Sequence, residues 1–365
     1  MDNSDEHFMR LALTQARKAW GETFPNPMVG AVLVRDGKVI ACGYHHRDGS
    51  DHAEIDCLRK VDFQADGCRM YVTLEPCSTH GRTGACSEAI KRAKVSSVVI
   101  GALDPNPAHC GRAVEIFRQS SIDCICGVLE KECSQLNFVF NKNIVSSQAL
   151  LALKYAISAD AKITKVAGYP TRITSDLSQA DVMKWRRFFP AIAVGLGTLL
   201  SDNPSLTSRI EKDVSCGERL IFDSSLRLAK LDITKFNVFT DSFSEKTRIV
   251  CDCSASTQDE DFLKRRGLRI MRIPYLKDSA DFWAELKRAL YKERICALYV
   301  EGGAKIFASV CSAREADYIF EYKAKDVFGE GLNAFDKKYF SINPVETAVF
   351  GSDNFLAGFP IWTQK

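Results

Sequence analysis

The segment Thr73-Leu-Glu-Pro-Cys-Ser-Thr-His-Gly-Arg-Thr-Gly-Ala-Cys86 contains two cysteines separated by eight residues, and His52-Ala-Glu54 precedes it in the chain. One imidazole and two thiolates are the protein ligands of a catalytic zinc site whose fourth position is open to water. The two segments therefore predict a zinc site. Its ligands would be His52, Cys77 and Cys86.

The next candidate is Glu54, two residues after the histidine and on the same predicted first helical turn. A carboxylate in that place can take a proton from a water whose pKa zinc lowers toward about 7, and can return it to a leaving amine. The pattern indicates hydrolytic deamination. Taken one at a time, these features have ordinary structural explanations: a histidine near a helix start is commonly a cap, and two cysteines are commonly buried thiols. A structural zinc module, in which Glu54 would be dispensable, stays an alternative.

Length and composition describe the rest of the chain in broad terms. The 365 residues, 46% of them hydrophobic, exceed what one hydrophobic core usually serves, so two domains are expected. A net charge of +3 provides no broad basic field for nucleic acid. No apolar run reaches the roughly 18 residues of a membrane helix, and MDNSDEHF is unlike a secretory signal. We expect a cytoplasmic enzyme with a small-molecule substrate, compatible with a homo-oligomer.

Hydrophobic patterns predict two successive α/β domains, residues 1–145 and 149–365. In the first, a helix from Glu6 to Trp20 is followed by a hairpin and by short β-branched strands typical of a sheet covered on both faces. This indicates a three-layer domain, and the polar stretch Asn141–Gln148 is interpreted as a linker. Further elements are predicted at 28–34, 39–44, 70–74, 98–102, 150–157, 178–188, 191–194, 219–223 and 297–301.

Nine of the fourteen cysteines lie before residue 150. A helix N-terminus favours thiolate at Cys86 and, to a smaller extent, at Cys77. Cys124 and Cys126 alternate on a predicted strand and are expected to share one face as small apolar fillers. The twelve cysteines outside the zinc site are expected to be reduced and largely buried.

The eight-residue spacing between Cys77 and Cys86 differs from the two residues of the nucleobase-deaminase signature. The motif with its insertion resembles that of the bifunctional deaminase-reductases of riboflavin biosynthesis, as do Pro25–Val32, Gly43–His45 and Asp104–Asn106. The resemblance implies a cytidine-deaminase-like fold that replaces the 2-amino group of a phosphoribosylamino-pyrimidinone by oxygen. By the same resemblance the residues contacting this substrate would be Asn26, His45, Arg82, Asp104 and Asn106. Turn chemistry is the alternative for both asparagines, and an exposed hairpin position without function is the alternative for His45.

Val300-Glu-Gly-Gly-Ala-Lys-Ile306 is predicted to be a strand, a glycine turn and a helix, where backbone amides can bind an anion. A tight turn without ligand is the alternative. Together with Lys154–Asp160, Gly195–Arg209 and Phe222–Ser224, the segment resembles the reductase half of the same family. That resemblance implies a dihydrofolate-reductase-like fold with NADPH as hydride donor.

The resemblance also assigns residues in this second half. It implies that NADPH would be held by Ala156, Thr198, Asp202, Gly303, Ala304, Lys305, Ile306, Phe307, Ala308 and Ser309, with Arg172 as a candidate for its 2′-phosphate. Substrate would be held by Arg186, Arg209 and Glu301, the two arginines being suited to a 5′-phosphate.

Three positions depart from the family pattern in this half. Ala161 replaces a glycine, Arg172 replaces a tryptophan, and Tyr322–Gly329 lacks a proline. An alanine at a glycine position is costly only where φ is positive. A deaminase whose C-terminal domain binds nucleotide or mediates assembly without reducing substrate is therefore the main alternative. A tRNA or cytidine deaminase is disfavoured by the long cysteine spacing and the near-neutral charge.

Overall fold

The computed structural model describes residues 3–79, 84–166, 169, 171–274, 279–334 and 339–363. Contacts between Cα atoms divide the chain into two compact units, Met1–Ser147 and Gln148–Lys365. In the described part of the chain, no helix combines the length and the hydropathy that crossing a bilayer requires.

The first unit is a five-stranded sheet with helices on both faces. Its elements are α1 (Asn3–Ala16), β1 (Gly30–Arg35), β2 (Lys38–Tyr44), α2 (Ala53–Arg59), β3 (Arg69–Leu74), α3 (Cys86–Arg92), β4 (Ser97–Ala102), α4 (Arg112–Gln119), β5 (Asp123–Cys126), α5 (Glu130–Leu136) and α6 (Phe138–Ser146). The strand order is β2-β1-β3-β4-β5, with β3, β4 and β5 parallel. Helices α2, α3 and α4 supply the apolar core on one face, while α1 and α5 approach the other. The predicted three-layer α/β domain is confirmed.

Close approach of α2 to β2 depends on a glycine. A Cβ atom at Gly43 would lie 2.3 Å from the carbonyl oxygen of Ala53 and 2.4 Å from the amide nitrogen of Cys57. Cβ atoms in proteins do not approach backbone atoms this closely, so only glycine fits here. The contact places the end of β2, with His45 directly after it, against the start of α2.

The interpretation of Asn141–Gln148 as a linker is wrong for most of its length, because α6 continues to Ser146. The polar residues of this segment, which show no helical pattern in the sequence, make hydrogen bonds in the structure. Asn141 Nδ2 donates to the carbonyl oxygen of Ser134 on α5 at 2.9 Å, and Asn143 is buried. A helix stabilised by polar contacts has no apolar periodicity to reveal it.

The second unit is built on a nine-stranded sheet. Its elements are β6 (Leu150–Ile157), β7 (Lys162–Thr164), α7 (Asp176–Phe188), β8 (Ala191–Gly195), α8 (Leu196–Asp202), β9 (Ser208–Ile210), β10 (Asp213–Ser215), β11 (Glu218–Phe222), α9 (Asn237–Thr240), β12 (Thr247–Asp252), α10 (Thr257–Arg265), β13 (Arg269–Ile273), α11 (Ser279–Lys292), β14 (Ala297–Val300), α12 (Ala304–Ala313), β15 (Tyr318–Lys323), β16 (Leu332–Asn333), β17 (Phe340–Phe350) and β18 (Asp353–Trp362). The order is β13-β12-β11-β8-β14-β6-β15-β18-β17, and every pairing is parallel except the two that β18 makes, with β15 and β17. The predicted second α/β domain is confirmed.

Ala161, the alanine at a family glycine position, has φ of +63°. The turn that contains it is closely hydrogen-bonded: its own N–H donates to the Ser158 carbonyl, and Asp160 accepts from the N–H groups of Phe328 and Gly329. The left-handed conformation costs an alanine about 1–2 kcal/mol, and the turn imposes it.

We therefore expect Ala161→Gly to raise the free energy of unfolding of the second unit by about 0.5 kcal/mol. Relief of about 1–2 kcal/mol of strain exceeds the extra unfolded-state entropy of glycine, about 0.4–1 kcal/mol. Urea denaturation followed by tryptophan fluorescence measures it, since three of the four tryptophans lie after residue 148. Ala255→Gly, at an alanine without positive φ, should destabilise instead; destabilisation by both changes would contradict the strain argument.

Candidate functional site

Three separate elements bring the predicted zinc ligands together. His52 is the residue before α2, and Cys86 is the first residue of α3. Cys77 follows the carboxyl end of β3, and its carbonyl oxygen accepts a hydrogen bond from the N–H of Ser87. The side-chain ligand atoms of the three residues all lie within 4.8 Å of one another.

The distances between these atoms suit a tetrahedral metal site. His52 Nδ1 lies 3.6 Å from Cys77 Sγ and 3.3 Å from Cys86 Sγ. With zinc–sulfur bonds of about 2.3 Å and zinc–nitrogen bonds of about 2.0–2.1 Å, tetrahedral nitrogen and sulfur ligands lie about 3.6 Å apart. One nitrogen and two sulfur donors are also a set that zinc prefers. The residues present therefore fit zinc.

The electrostatics of the two cysteines differ from the expectation based on helix N-termini. Hydrogen bonds from Cys86, one of them from its backbone N–H at 3.3 Å, lower the pKa of Cys77 to about 4. The pKa of Cys86 is raised, because Cys86 is the donor of this pair and is buried. Without metal, Cys77 is therefore the first of the two thiols to lose its proton, whereas both would be thiolates as zinc ligands.

Glu54 lies on the first turn of α2 and is 3% exposed. Burial raises the pKa of its carboxyl group to about 7. A carboxyl group that titrates near neutrality can both accept and return a proton under physiological conditions. Its position beside the three candidate ligands and its pKa agree with the proton-carrying role predicted from the sequence.

Asn26 and His45 form a network next to the zinc ligands. Asn26 Nδ2 donates to Asp48 Oδ1 and contacts His45 Nε2, both at 3.2 Å, and the rings of His45 and His52 lie 5.5 Å apart. Because a carboxylate only accepts, Asp48 fixes the amide orientation of Asn26, and His45 Nε2 must then accept. His45 Nδ1 accordingly donates to the Asp51 carbonyl oxygen at 3.0 Å.

This network corrects the idea of His45 as an exposed hairpin residue, because it is 3% exposed. Burial lowers the pKa of His45, in agreement with a neutral ring that donates through Nδ1. Turn chemistry also does not account for Asn26, whose amide reaches across to the loop after β2. Both side chains are therefore held in fixed orientations beside His52.

Glu75, which the sequence did not single out, holds the loop that carries Asp104 and Asn106. Its buried carboxylate accepts from the N–H groups of Asp104 at 3.1 Å, Gly111 at 2.9 Å and Ala113 at 2.9 Å. Asp104 in turn accepts from the Asn106 N–H at 2.8 Å, and burial raises its pKa. Asn106 Oδ1 accepts from the Ala108 N–H, so turn chemistry does account for that oxygen. An acidic residue directly after a buried strand was the available signal for Glu75.

The remaining substrate residue of the first domain, Arg82, lies outside the described residues.

A second candidate site is a cavity of about 800 Å³ in the second unit. It runs across the carboxyl ends of five neighbouring parallel strands, β6, β14, β8, β11 and β12, the edge of an α/β sheet where ligands bind. Its volume lies within the range of about 300–1,000 Å³ that small-molecule sites have.

The glycine turn lies in this cavity between β14 and α12. Gly303 precedes the ten-residue helix α12, and a Cβ at Gly302 would lie 2.9 Å from the Ile306 side chain. The turn thus brings the backbone N–H groups of a helix N-terminus to the cavity wall, where they can bind a phosphate. Thr198 on α8 lines the same part of the wall. These residues fit a dinucleotide cofactor.

A buried group of three charges lies next to the glycine turn, because Glu301 directly precedes Gly302. Arg186 on α7 makes two hydrogen bonds to the Glu301 carboxylate, at 2.6 and 3.0 Å, and Lys154 Nζ lies 3.6 Å from it. Burial would raise the pKa of Glu301, but the two cations lower it to about 2, while burial lowers the pKa of Lys154. Lys154 was not predicted, although a lone lysine in the apolar strand Leu150–Ile157 was a readable signal.

Most predicted residues of the second domain lie at this cavity. The lining contains Ala156, Arg172, Arg186, Thr198, Asp202, Glu301, Gly303, Ala304, Lys305, Ile306, Phe307 and Ser309. Ala308 and Arg209 are not among the lining residues, and Arg209 is exposed on β9. Arg186 lines the cavity, and three of its five N–H groups donate to the Glu301 carboxylate and the Thr207 carbonyl.

Comparison with known proteins identifies both domains. Residues 2–102 match the family described as the cytidine and deoxycytidylate deaminase zinc-binding region, and residues 149–356 match the RibD C-terminal domain. The riboflavin biosynthesis protein RibD of Aquifex aeolicus is 33% identical over 91% of this chain and 90% of its own length.

Solved structures extend the likeness to the whole fold. A diaminohydroxyphosphoribosylaminopyrimidine deaminase/5-amino-6-(5-phosphoribosylamino)uracil reductase from Thermotoga maritima is 32% identical, with a TM-score of 0.81 over 98% of this chain and 99% of its own. Acinetobacter baumannii RibD is 27% identical, with the same TM-score and coverage. The predicted cytidine-deaminase-like and dihydrofolate-reductase-like folds are confirmed. The chain belongs to the RibD family of riboflavin biosynthesis proteins and joins a deaminase to a reductase, in that order along the sequence.

Proposed function

We propose that the first domain deaminates 2,5-diamino-6-(5-phosphoribosylamino)pyrimidin-4(3H)-one and that the second reduces the resulting 5-amino-6-(5-phosphoribosylamino)uracil with NADPH. The observation that carries the proposal is the pairing of a His52-Cys77-Cys86 cluster beside a buried Glu54 with a separate dinucleotide-sized cavity. The first reaction exchanges the 2-amino group for oxygen and releases ammonia. The second adds a hydride to ribose C1′ and a proton to the ring oxygen, which opens the ribose to a ribityl chain.

In the deaminase site, His52, Cys77 and Cys86 would hold zinc, which supplies a water of lowered pKa. Glu54 would accept a proton from the attacking water and deliver it to the departing amine. Asn26, its amide orientation set by Asp48, presents its oxygen to a ring N–H or amino group of the pyrimidinone. His45 keeps Asn26 in place through Nε2.

In the reductase site, the turn Gly303–Ser309 and Thr198 would bind the cofactor phosphates, and the cofactor supplies the hydride. Glu301 holds Arg186 and Lys154 at the end of the cavity that lies over β6 and β14. Substrate reduced there would meet Lys154 and Glu301 directly. Arg186 acts through Glu301, because that carboxylate occupies two of its donors.

The experiment that tests the proposal is a coupled assay on one preparation of the full chain. Purified protein is given the diaminopyrimidinone phosphate with NADPH, and ammonia, NADPH oxidation and bound zinc are measured. We expect one zinc per chain, ammonia release, and then NADPH consumption. Ammonia release without NADPH consumption would overturn the reductase half of the proposal. A protein that binds zinc but releases no ammonia would overturn the deaminase half.

We expect Glu75→Gln to raise the deaminase KM by about tenfold or more and to leave the reductase unchanged. A glutamine amide has one acceptor oxygen where the three N–H groups of the Asp104–Ala113 loop need a carboxylate, so at least one buried N–H loses its partner, at a cost of about 1–3 kcal/mol. Steady-state kinetics measure the change. The exposed Glu115→Gln is the control, and a fall in kcat at constant KM would contradict the positioning role.

We infer that Arg227 sets the preference for NADPH over NADH. This residue and Ser224 follow β11 and line the cavity two strands beyond the glycine turn, where the adenosine end of the cofactor would lie. The Asp223 carboxylate lies 3.6 Å from Arg227 Nε. Arg172, the candidate from the sequence, also lines the cavity but follows none of the strands whose carboxyl ends the cavity crosses.

We expect Arg227→Gln to raise the KM for NADPH by about tenfold to a hundredfold, the value of one charge-assisted contact to phosphate, without changing the KM for NADH. The reductase step, followed with each cofactor, measures both. Arg172→Gln is the matched control and should change the KM for NADPH by less than about threefold. A larger effect at Arg172 than at Arg227 would reverse the assignment.

Two expectations about the chain as a whole stay predictions. The first is the cytoplasmic location expected from the sequence. Assembly into a homo-oligomer is not tested by the contacts within one chain.

A further inference from the structure

Cys124 and Cys126 form a pair of thiols outside both catalytic sites. They lie on β5, the last strand of the first sheet, which pairs with β4 on one side. Because side chains alternate along a strand, both point to the same face, and their sulfur atoms lie 4.0 Å apart. Cys124 is half-buried and packs against the core as predicted, whereas Cys126 is exposed, so the interpretation as an apolar filler is wrong for Cys126 alone.

The position of the pair distinguishes it from other cysteines. Seven of the twelve cysteines outside the zinc site are buried, where oxidants do not reach them. Cys251 and Cys253 have the same spacing at the end of β12, but Cys251 is buried. Cys126, by contrast, is open to a reagent, and a second sulfur is within reach of any adduct formed on it.

The chemistry of the pair follows from the hydrogen bond between its members. The contact between the two sulfur atoms lowers the pKa of Cys126, which is the member that solvent reaches. The thiolate is the nucleophile in thiol–disulfide exchange, so the exposed member is the one prepared to attack.

Strand geometry allows Cys124 and Cys126 to form a disulfide, and makes that disulfide easy to reduce. Two residues along a strand separate Cα atoms by about 6.6 Å, near the upper end of the range of about 4.4–6.8 Å found in disulfides. A bridge at this limit is strained, and strained, exposed disulfides have oxidising potentials.

We propose that Cys124 and Cys126 are a reversible redox site, which low-molecular-weight disulfides such as oxidised glutathione convert to an intramolecular disulfide. The Cys126 thiolate attacks one sulfur of the reagent, whose S–S bond breaks and releases one thiol. Cys124 then loses its proton and attacks the Cys126 sulfur, which releases the second thiol. Two protein thiols are oxidised, the reagent is reduced to two thiols, and these take up the protons.

The test uses the full-length, zinc-loaded protein, so that Cys77 and Cys86 are protected. After incubation with oxidised glutathione, free thiols are alkylated and the peptides are analysed by mass spectrometry. We expect the peptide with Cys124 and Cys126 to lose two hydrogens and to escape alkylation, and dithiothreitol to restore both thiols. Alkylation of both cysteines, or a stable glutathione adduct on Cys126, would overturn the proposal.

Two variants separate the steps. Cys124→Ser removes the resolving thiol and should trap the glutathione adduct on Cys126, whereas Cys253→Ser should leave closure of the pair unchanged. The peptide with Cys251 and Cys253 serves as an internal control and should not close under the same conditions. A Cys124→Ser protein that acquires no adduct would show that Cys126 is not the attacking thiol.

Discussion

Replacing Glu54 with glutamine is expected to lower the deaminase kcat by about a thousandfold, within the range of about 10²–10⁴ that general acid–base catalysis contributes. Glutamine preserves the shape of the side chain but cannot take a proton from water. The loss corresponds to about 4 kcal/mol of transition-state stabilisation. The measurement is ammonia release at saturating substrate.

Two features of the same chain control this experiment. Zinc content should stay at one per chain, since Glu54 is outside the His52-Cys77-Cys86 ligand set, and the reductase, supplied with its own substrate, should keep its rate. Glu88→Gln is the matched variant, because Glu88 also lies in the first turn of a helix that begins at a candidate ligand. Turnover retained by Glu54→Gln would contradict the proton-carrying role, and loss of zinc would show that Glu54 supports the metal site.

The sequence was sufficient for elements whose residues have one clear environment. The strands β3 and β4 are short and apolar because both faces are covered, and the hairpin turn Asp36-Gly37 connects β1 and β2 as predicted. The long hairpin of β17 and β18 was not predicted. Much of β17 is exposed, and a register shift between Pro344 and Glu346 interrupts its alternation, so no periodic pattern marks it.

The sites divide in a similar way. His52, Glu54, Cys77 and Cys86 were predictable because zinc chemistry fixes residue types and a motif fixes their spacing. Glu75 and Lys154 were not found, because they act through partners 29 or more residues away that only the fold brings near. For the same reason the sequence did not reveal that Arg186 also pairs with Glu301, 115 residues later.

Glu301 carries the second large expected effect. Its carboxylate is the partner of two cations that are themselves buried, Arg186 and Lys154, with side chains 13% exposed. Glu301→Gln keeps the shape and removes the negative charge, which leaves both cations uncompensated. Removing one member of a buried ion pair costs about 3–5 kcal/mol, so we expect the second unit to lose that much stability and the reductase to lose most of its activity. Tryptophan-monitored urea denaturation measures the first effect, and deaminase activity should persist.

Glu260 provides the comparison that isolates burial, because it also bridges an arginine and a lysine, Arg272 and Lys264, but these partners are more exposed. Glu260→Gln should cost at most about 1 kcal/mol, since solvent screens such pairs.

The dependence of stability on acid pH gives an independent test of Glu301. With its pKa lowered from 4.5 to about 2, Glu301 stabilises the fold fully above pH 4.5 and progressively less toward pH 2. The unfolding free energy of the natural protein should therefore fall more steeply in that pH window than that of Glu301→Gln. Equal slopes against pH would mean that the buried charges do not depend on this carboxylate, and so would equal losses of stability from the substitutions at positions 301 and 260.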